Sequence, residues 1–432
     1  MKRCLVLAAL FLAGAALSQA APQKIDGPLT VAEAIRVALQ NNPTLAAAHR
    51  QFDAAHAGLR EAKAALFPQI SANSFATAGS YNTIVNSSAG VMPPNWLTIP
   101  NGGFVDQNLT LMIPLFTGGK LEARVRSASW QERAARGELA EMHAAVSLNV
   151  KDDYLKASVA KQMTAVQAAK VTAVQELLRT TQAKFVAGKD IEASVQRVQA
   201  ELSRANRSLT SARNNVAKAL LDLDAVMGVD FTSAISLSDE LVLAPEEGTQ
   251  ESYLRIARTS RGKLLASRAR AEAAGADVRG AESERFPQFY AQAMGDVASN
   301  RMGTGASFGL TLSFPLFDGG RIGAEVAGAK AQRAKAQADV TETEIAVENE
   351  IRQVWLDIET SKANAESAQA SVGAAQSAYD VVALRVSSGK GILVEELDAL
   401  QALTEAKADL AQATYEHNLA MAKLIKAAGG AK

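Results

Sequence analysis

The chain has 432 residues, 48% of them hydrophobic and 5% aromatic, with 45 basic side chains against 45 acidic ones. Balanced charge leaves no electrostatic footprint for nucleic acid, and abundant Ala, Gln, Glu, Lys and Arg with few aromatics points to long helices rather than a compact mixed fold. The single cysteine, Cys4, falls in the first apolar run, so the chain beyond that run has no disulfide and no thiolate metal site.

Lys2 and Arg3 precede an apolar stretch from Cys4 to Leu17, and Ser18-Gln19-Ala20 supplies a small-x-small cleavage site. Residues 1–20 therefore read as a signal peptide. Cys4 is not at the cleavage junction, so no N-terminal lipid anchor is indicated. After Ala20 no run approaches the ~18 apolar residues of a membrane-spanning helix, so a membrane-embedded mature chain must use strands.

The rest of the chain is a duplication. Pro114-Leu115-Phe116-Thr117-Gly118-Gly119 returns as Pro315-Leu316-Phe317-Asp318-Gly319-Gly320, an offset of 201 that also carries Tyr154-Leu155 onto Trp355-Leu356 and Gly188-Lys189 onto Gly389-Lys390. Phe67-Pro68-Gln69 matches Phe286-Pro287-Gln288 at an offset of 219, so the first copy holds 18 extra residues. They fall in a turn-rich stretch with Met92-Pro93-Pro94-Asn95-Trp96 and Asn101-Gly102-Gly103, which reads as a loop. The resulting division is 21–227 for the first repeat, 228–248 for an inter-repeat segment, 249–428 for the second repeat and 429–432 for a tail.

Each copy begins with a helix, 43–66 or 262–285, that stops at Phe-Pro because proline disfavours helical geometry in the residue before it. Two short alternating segments come after it. In the second copy Phe308, Leu310, Leu312 and Phe314 share one face, opposite Ser307, Gly309, Thr311 and Ser313. In the first, Val105, Leu109, Leu111 and Ile113 oppose Asp106, Asn108 and Thr110. This period of two marks strands with one apolar side, suited to lipid. Their partners, 69–79 and 287–297, alternate less cleanly. Next comes a proline-free helical tract, 121–187 or 322–388, about 100 Å long at about 1.5 Å per residue. Leu148, Leu155, Val159, Val166, Leu177 and Phe185 mark its expected packing seam. Gly188 and Gly389 end these helices, and return helices run 190–227 and 392–428. The segments 22–42 and 228–261 are left to gather as a waist.

The expected fold is mainly α with a small β-barrel portion, a twice-repeated helix–β-hairpin–long helix–helix unit. Four strands per chain cannot close around a channel, since the smallest single-chain barrels have about eight, so closure requires several copies.

Enzymatic constellations are absent from the sequence. His49 and His56 are seven apart, too far for an i, i+4 ligand pair, while His143 and His417 are isolated and read as surface helical histidines. Neither Gly119-Lys120 nor Gly188-Lys189 completes a P-loop, and no G-x-S-x-G elbow occurs. No cofactor and no metal is expected.

The pattern resembles the TolC-like outer-membrane efflux protein family. The resemblance rests on Leu29-Thr30-x-x-Glu33-Ala34 with Asn42-Pro43-x-Leu45, on Phe67-Pro68, on the doubled Pro-Leu-Phe-x-Gly-Gly, on the Gly188 and Gly389 turns, and on Tyr415-x-x-Asn418-Leu419 with Leu424. It implies a homotrimer with a 12-stranded transmembrane barrel and a periplasmic α-barrel. It also implies a periplasmic adaptor and an inner-membrane pump or ABC transporter as partners. Glu395 and Asp398, three apart on one helix face, match acidic positions at the periplasmic entrance of family members. The turns at Gly188-Lys189 and Gly389-Lys390 become candidate adaptor-docking tips. The resemblance breaks at Gly391, where an entrance-bonding Arg is sometimes found, and at Val386, where no aromatic stands. The expected function is a passive outer-membrane exit duct for efflux or type I secretion. The alternative of a different class is a periplasmic coiled-coil adaptor or scaffold without a pore. An adaptor would have no use for the apolar stripe at Phe308, Leu310, Leu312 and Phe314.

Overall fold

The computed structural model describes residues 24–430 except 78–82, 87–95, 100–103, 247 and 299–303. The signal segment, the Met92–Asn95 turn and Asn101-Gly102-Gly103 lie outside the described residues. The elements run β1 (Gly27–Leu29), α1 (Val31–Asn41), α2 (Pro43–Ala64), β2 (Gln69–Thr77), β3 (Thr83–Asn86), β4 (Trp96–Ile99), β5 (Phe104–Phe116), α3 (Lys120–Val186) and α4 (Glu192–Met227). They continue with β6 (Ile235–Leu237), α5 (Gln250–Ser260), α6 (Gly262–Ser283), β7 (Gln288–Ala298), β8 (Thr304–Ser313), α7 (Arg321–Ser387) and α8 (Leu393–Ala427). Helices α3 and α7 are 67 residues each. The chain divides into two compact units, and both long helices contribute residues to each.

The first unit comprises Met1–Thr44, Ala145–Glu246 and Leu356–Lys423. The two segments expected at a waist meet here in part. β1 pairs in parallel with β6, Gly27 opposite Ile235 and Leu29 opposite Leu237. Helix α1 starts where the Thr30-x-x-Glu33 spacing requires. The Thr30 hydroxyl accepts from Glu33 N while the Glu33 carboxylate accepts from Thr30 N, so two orphan donors are satisfied reciprocally. Those bonds also hold the Glu33 carboxyl below the usual carboxylate range. The Tyr154 hydroxyl donates to Leu29 O at 2.9 Å and accepts from Asp239 N at 3.1 Å, which fixes the β1–β6 ribbon on α3. The fully buried line along α3 is Val146, Val150, Tyr154 and Ala157, then Val171, Val174, Leu177 and Thr181. This corrects the expected seam. Of its members only Leu177 is fully buried, Leu148, Leu155, Val159 and Val166 are half-buried, and Phe185 is exposed.

The second unit comprises Leu45–Ala144, Glu247–Trp355 and Leu424–Lys432, and it holds the sheet. Four strands run in the order β2-β5-β7-β8, all antiparallel. The sheet is open, with β2 and β8 at its edges. Helix α2 ends at Ala64, two residues earlier than expected, and the chain tightens into a turn through Leu66 N to Lys63 O and Phe67 N to Ala64 O. The second copy repeats both bonds with Arg285 N to Glu282 O and Phe286 N to Ser283 O. Both turns end the helix ahead of the proline, whose ring disfavours helical geometry in the residue before it. The first copy's inserted stretch is more than a loop: β3 and β4 in it pair as an antiparallel hairpin, Thr83 opposite Ile99. Gly137 of α3 and Gly262 of α6 face each other, and a Cβ on Gly137 would lie 2.8 Å from Gly262 O, so only glycine permits this backbone approach.

Candidate functional site

Two places carry the residues expected to function. One is the sheet. Its register aligns side chains into rows, because paired residues of antiparallel strands share a face. One row reads Ile70, Leu111, Ala293, Phe308, the next Ala72, Leu109, Gly295, Ala306, and a third Ile113, Ala291, Leu310. The opposite face reads Ser71, Thr110, Met294, Ser307, and beside it Gln69, Met112, Gln292, Gly309. Phe308 and Leu310 are 77% and 70% exposed, and Leu109 and Leu312 are exposed as well, whereas Leu111 and Ile113 are half-buried. A continuous apolar face with its largest side chains uncovered needs a non-aqueous neighbour. Phe314 is also exposed but lies one residue beyond β8, so it belongs to the strand's exit rather than to the strand. The weak alternation of β7 is explained by its neighbours. Its apolar face carries Ala291, Ala293 and Gly295, small residues beside Leu109, Leu111, Phe308 and Leu310, which no hydrophobicity count weights heavily.

The other place is the pair of helix turns in the first unit. Gly188 and Gly389 adopt φ of 72° and 75°, and the chain closes behind each by Lys189 N to Lys184 O and Lys390 N to Arg385 O, both 2.8 Å. These are glycine-terminated helix ends in which the left-handed residue lets two orphan carbonyls be capped. The turns differ in what surrounds them. Phe185 is exposed in the first, while the matching Val386 is buried. Lys184 Nζ donates to Val386 O at 2.8 Å, so a side chain of the first turn caps the second helix end. Gly391, the position where the resemblance breaks, is hemmed in. A Cβ there would lie 2.9 Å from Val386 Cγ2 and 3.0 Å from Val386 N. An arginine at this position would displace the turn.

The three acids after the second turn have three different environments. Asp398 is exposed and lines a groove of ≈ 610 Å³ with Lys170, Arg197, Glu201, Arg204 and Gln401. Glu395 is half-buried, and its Oε2 is out of solvent without a hydrogen-bond partner. Glu396, between them, is also half-buried; burial raises its pKa and Lys184 opposes the rise. Below the turns, Val174 and Leu177 of α3, Val198 of α4 and Leu400 of α8 form one apolar cluster, with Tyr379 of α7 packed against it. Lys170 holds that groove together, reaching Glu201 at 2.9 Å and Gln401 at 2.6 Å. No local spacing points to this pairing, since Lys170 and Gln401 are 231 residues apart.

The motif near the C-terminus also acquires a physical meaning. Asn418 accepts from Ala244 N through Oδ1 and donates to Val242 O through Nδ2, both at 2.8 Å, so its amide acts as a short backbone segment for the passing chain. His417 is buried against Ala244 O and Ser361, which corrects its reading as a surface histidine. The Tyr415 hydroxyl donates to Asp152 at 2.8 Å, and burial, reinforced by that carboxylate, pushes its pKa up to about 12.

A duplicated arrangement of 67-residue helices, joined to strands with one uncovered apolar face, defines the outer-membrane duct class. The family model described as Outer membrane efflux protein matches residues 34–229 and 254–430. The outer membrane efflux protein BepC of Brucella suis biovar 1 is 27% identical over 438 residues, covering 98% of this chain and 90% of BepC. The outer membrane protein TolC of Salmonella enteritidis is 24% identical, covering 87% and 77%. The crystal structure of the outer membrane protein VceC from Vibrio cholerae superposes with a TM-score of 0.75 at 19% identity, covering 92% of this chain and 96% of VceC, which shows a shared fold. The chain belongs to the outer membrane efflux protein family.

Proposed function

We propose that three copies of this chain close into one duct, a 12-stranded transmembrane barrel continued by an α-helical barrel in the periplasm. The protein is an outer-membrane channel of the efflux and secretion kind, and its family is one of channels rather than enzymes. The observation that carries the assembly is the sheet. Among the described residues it has four strands, with β2 and β8 unpaired at its edges, and one apolar face whose large side chains are uncovered. Unpaired edges cannot persist in hydrocarbon, where each unsatisfied backbone group costs several kcal/mol, so edge must meet edge of the next copy. Lipid covers Leu109, Leu111, Ile113, Phe308, Leu310 and Leu312, with Phe314 at the margin. The polar face lines the lumen.

The repeats at 21–227 and 249–428, joined by 228–248, are read as two rounds of the same helix–hairpin–helix unit. At the periplasmic tip the turns at Gly188-Lys189 and Gly389-Lys390 receive the adaptor, and an inner-membrane pump or ABC transporter supplies the energy. Glu395 and Asp398 from three copies would make a six-carboxylate entrance. The scaffold alternative has no observation in its favour, because a soluble rod does not present Phe308 and Leu310 to water.

Detergent-extracted mature protein should run as a trimer and conduct ions in planar bilayers, and conductance should fall with added multivalent cation. In Glu395→Gln/Asp398→Asn that cation sensitivity should drop while open conductance stays. A non-conducting monomer that is soluble without detergent would sink the assembly. Unchanged cation block in the double variant would remove the acids from the entrance.

A further inference from the structure

The tertiary structure brings together two histidines that the sequence keeps 94 residues apart. His49 on α2 and His143 on α3 stand with ring centroids 5.4 Å apart and planes at 90°. Both belong to the second unit, His49 exposed and His143 half-buried. We propose that His49 and His143 form a two-imidazole site for a borderline divalent transition-metal ion such as Zn²⁺, Ni²⁺ or Cu²⁺.

The spacing of the two rings fits a shared ion. An imidazole bound to zinc places its nitrogen about 2.0–2.1 Å from the metal, and the ring centroid lies roughly 1.1 Å farther back. Two such rings at a tetrahedral angle of about 109° have centroids about 5 Å apart. The observed 5.4 Å is close to that spacing, and turning the perpendicular rings about their side-chain bonds would aim one nitrogen of each at the ion. The chemistry of the donors is right as well, since imidazole nitrogen suits Zn, Cu and Ni and disfavours Mg and Ca. Because the donors sit on two different helices, the ion would act as a brace between α2 and α3.

The surroundings limit the site to two protein ligands. Among the described residues no group of three or more His, Cys, Asp and Glu is placed to hold a metal ion. His56 comes seven residues after His49, about 10.5 Å along the helix, and pairs with Glu132 at 3.7 Å instead. Asp53, one turn from His49, is paired with Arg50 at 3.0 Å. Water would complete the coordination, which gives an exchangeable site rather than a permanent structural one.

The test uses the mature protein in detergent, without a histidine tag, titrated with Zn²⁺ by calorimetry at pH 7.5. In the Glu395→Gln/Asp398→Asn background, which removes cation uptake at the entrance acids, one Zn²⁺ per chain is expected, with affinity falling at least tenfold on adding His49→Ala or His143→Ala and staying unchanged on adding His56→Ala. Alanine at exposed and half-buried helix positions preserves the helix. As a second measurement, Cu²⁺ electron paramagnetic resonance should report two nitrogen donors in the parent and one in each single variant. Absence of zinc binding, equal loss in His56→Ala, or an unchanged nitrogen count would overturn the proposal and leave an edge-to-face ring contact only.

Discussion

Asn42 and Arg261 occupy matching joints in the two repeats and make the same bond with different chemistry. Each lies at the break between two helices, Asn42 with φ −63° and ψ 122°, Arg261 with φ −65° and ψ 114°. Asn42 Nδ2 donates to Val226 O near the end of α4 at 2.7 Å, and Arg261 Nη1 donates to Lys426 O near the end of α8. The glycines just past those helix ends, Gly228 and Gly429, have positive φ and press against the carbonyls of Asn41 and Ser260. The second joint is ionic. Arg261 is 1% exposed and reaches Glu350 at 2.9 Å and Glu141 at 3.1 Å, and Lys426 meets Glu350 at 3.0 Å.

The two joints should therefore fail unequally. Asn42→Ala removes the neutral hydrogen bond to Val226 O and leaves that carbonyl without the amide donor, a cost of about 1–2 kcal/mol. Arg261→Ala leaves two partly buried carboxylates with Lys426 as their remaining cation and Lys263 N as a further donor to Glu141. The cost of breaking buried pairs is about 3–5 kcal/mol, lowered here to about 2–4 because the glutamates keep some solvent. Thermal unfolding of the purified protein should rank parent, Asn42→Ala, Arg261→Ala in descending midpoint.

Asp224 gives a stability that depends on pH. It is buried in α4 with Oδ1 unpartnered, and burial, with Asp230 adding repulsion, raises its pKa from 3.8 to about 6. A raised folded-state pKa means that the stabilising contribution is present in full below the unfolded value and is lost as pH climbs through about 6. Asp224→Asn should then raise the unfolding free energy above pH 7 by about 1–3 kcal/mol, with the gain vanishing near pH 4. A gain that is the same at both pH values would show that the charge is not its cause.

Neighbouring residues of β8 should differ sharply in their tolerance of charge. In the proposed barrel, Leu310→Lys would put an ammonium against lipid, at a cost of about 2–4 kcal/mol near the bilayer midplane, whereas Thr311→Lys would put it on the polar face. The amount of trimer recovered from the outer-membrane fraction should fall for the first and hold for the second.

Lys184 should hold the second turn from the first. Lys184→Met keeps the aliphatic stem but removes the donor to Val386 O. The loss of a partly exposed charged hydrogen bond is worth about 1 kcal/mol, or about fivefold in local opening. Amide hydrogen exchange at residues 386–391 should speed up by about that factor, with residues around Tyr154 unaffected.

The sequence alone determined the features that a few neighbouring residues can encode. The Phe-Pro stops, the Gly188 and Gly389 turns, the Thr30-Glu33 cap and the alternating faces of β5 and β8 all arise from backbone sterics and side-chain period acting over one or two turns of chain. Repetition at fixed offsets then exposed the duplicated plan and the family. Only the tertiary structure decided which members of these patterns meet. It separated Glu395, Glu396 and Asp398 into three environments, buried His417 under Ala244, and set His143 beside His49. It also surrounded Arg261 with polar groups from three other helices. Those outcomes depend on segments dozens to hundreds of residues apart packing at one place, and on how far each is withdrawn from water. No local spacing carries that information.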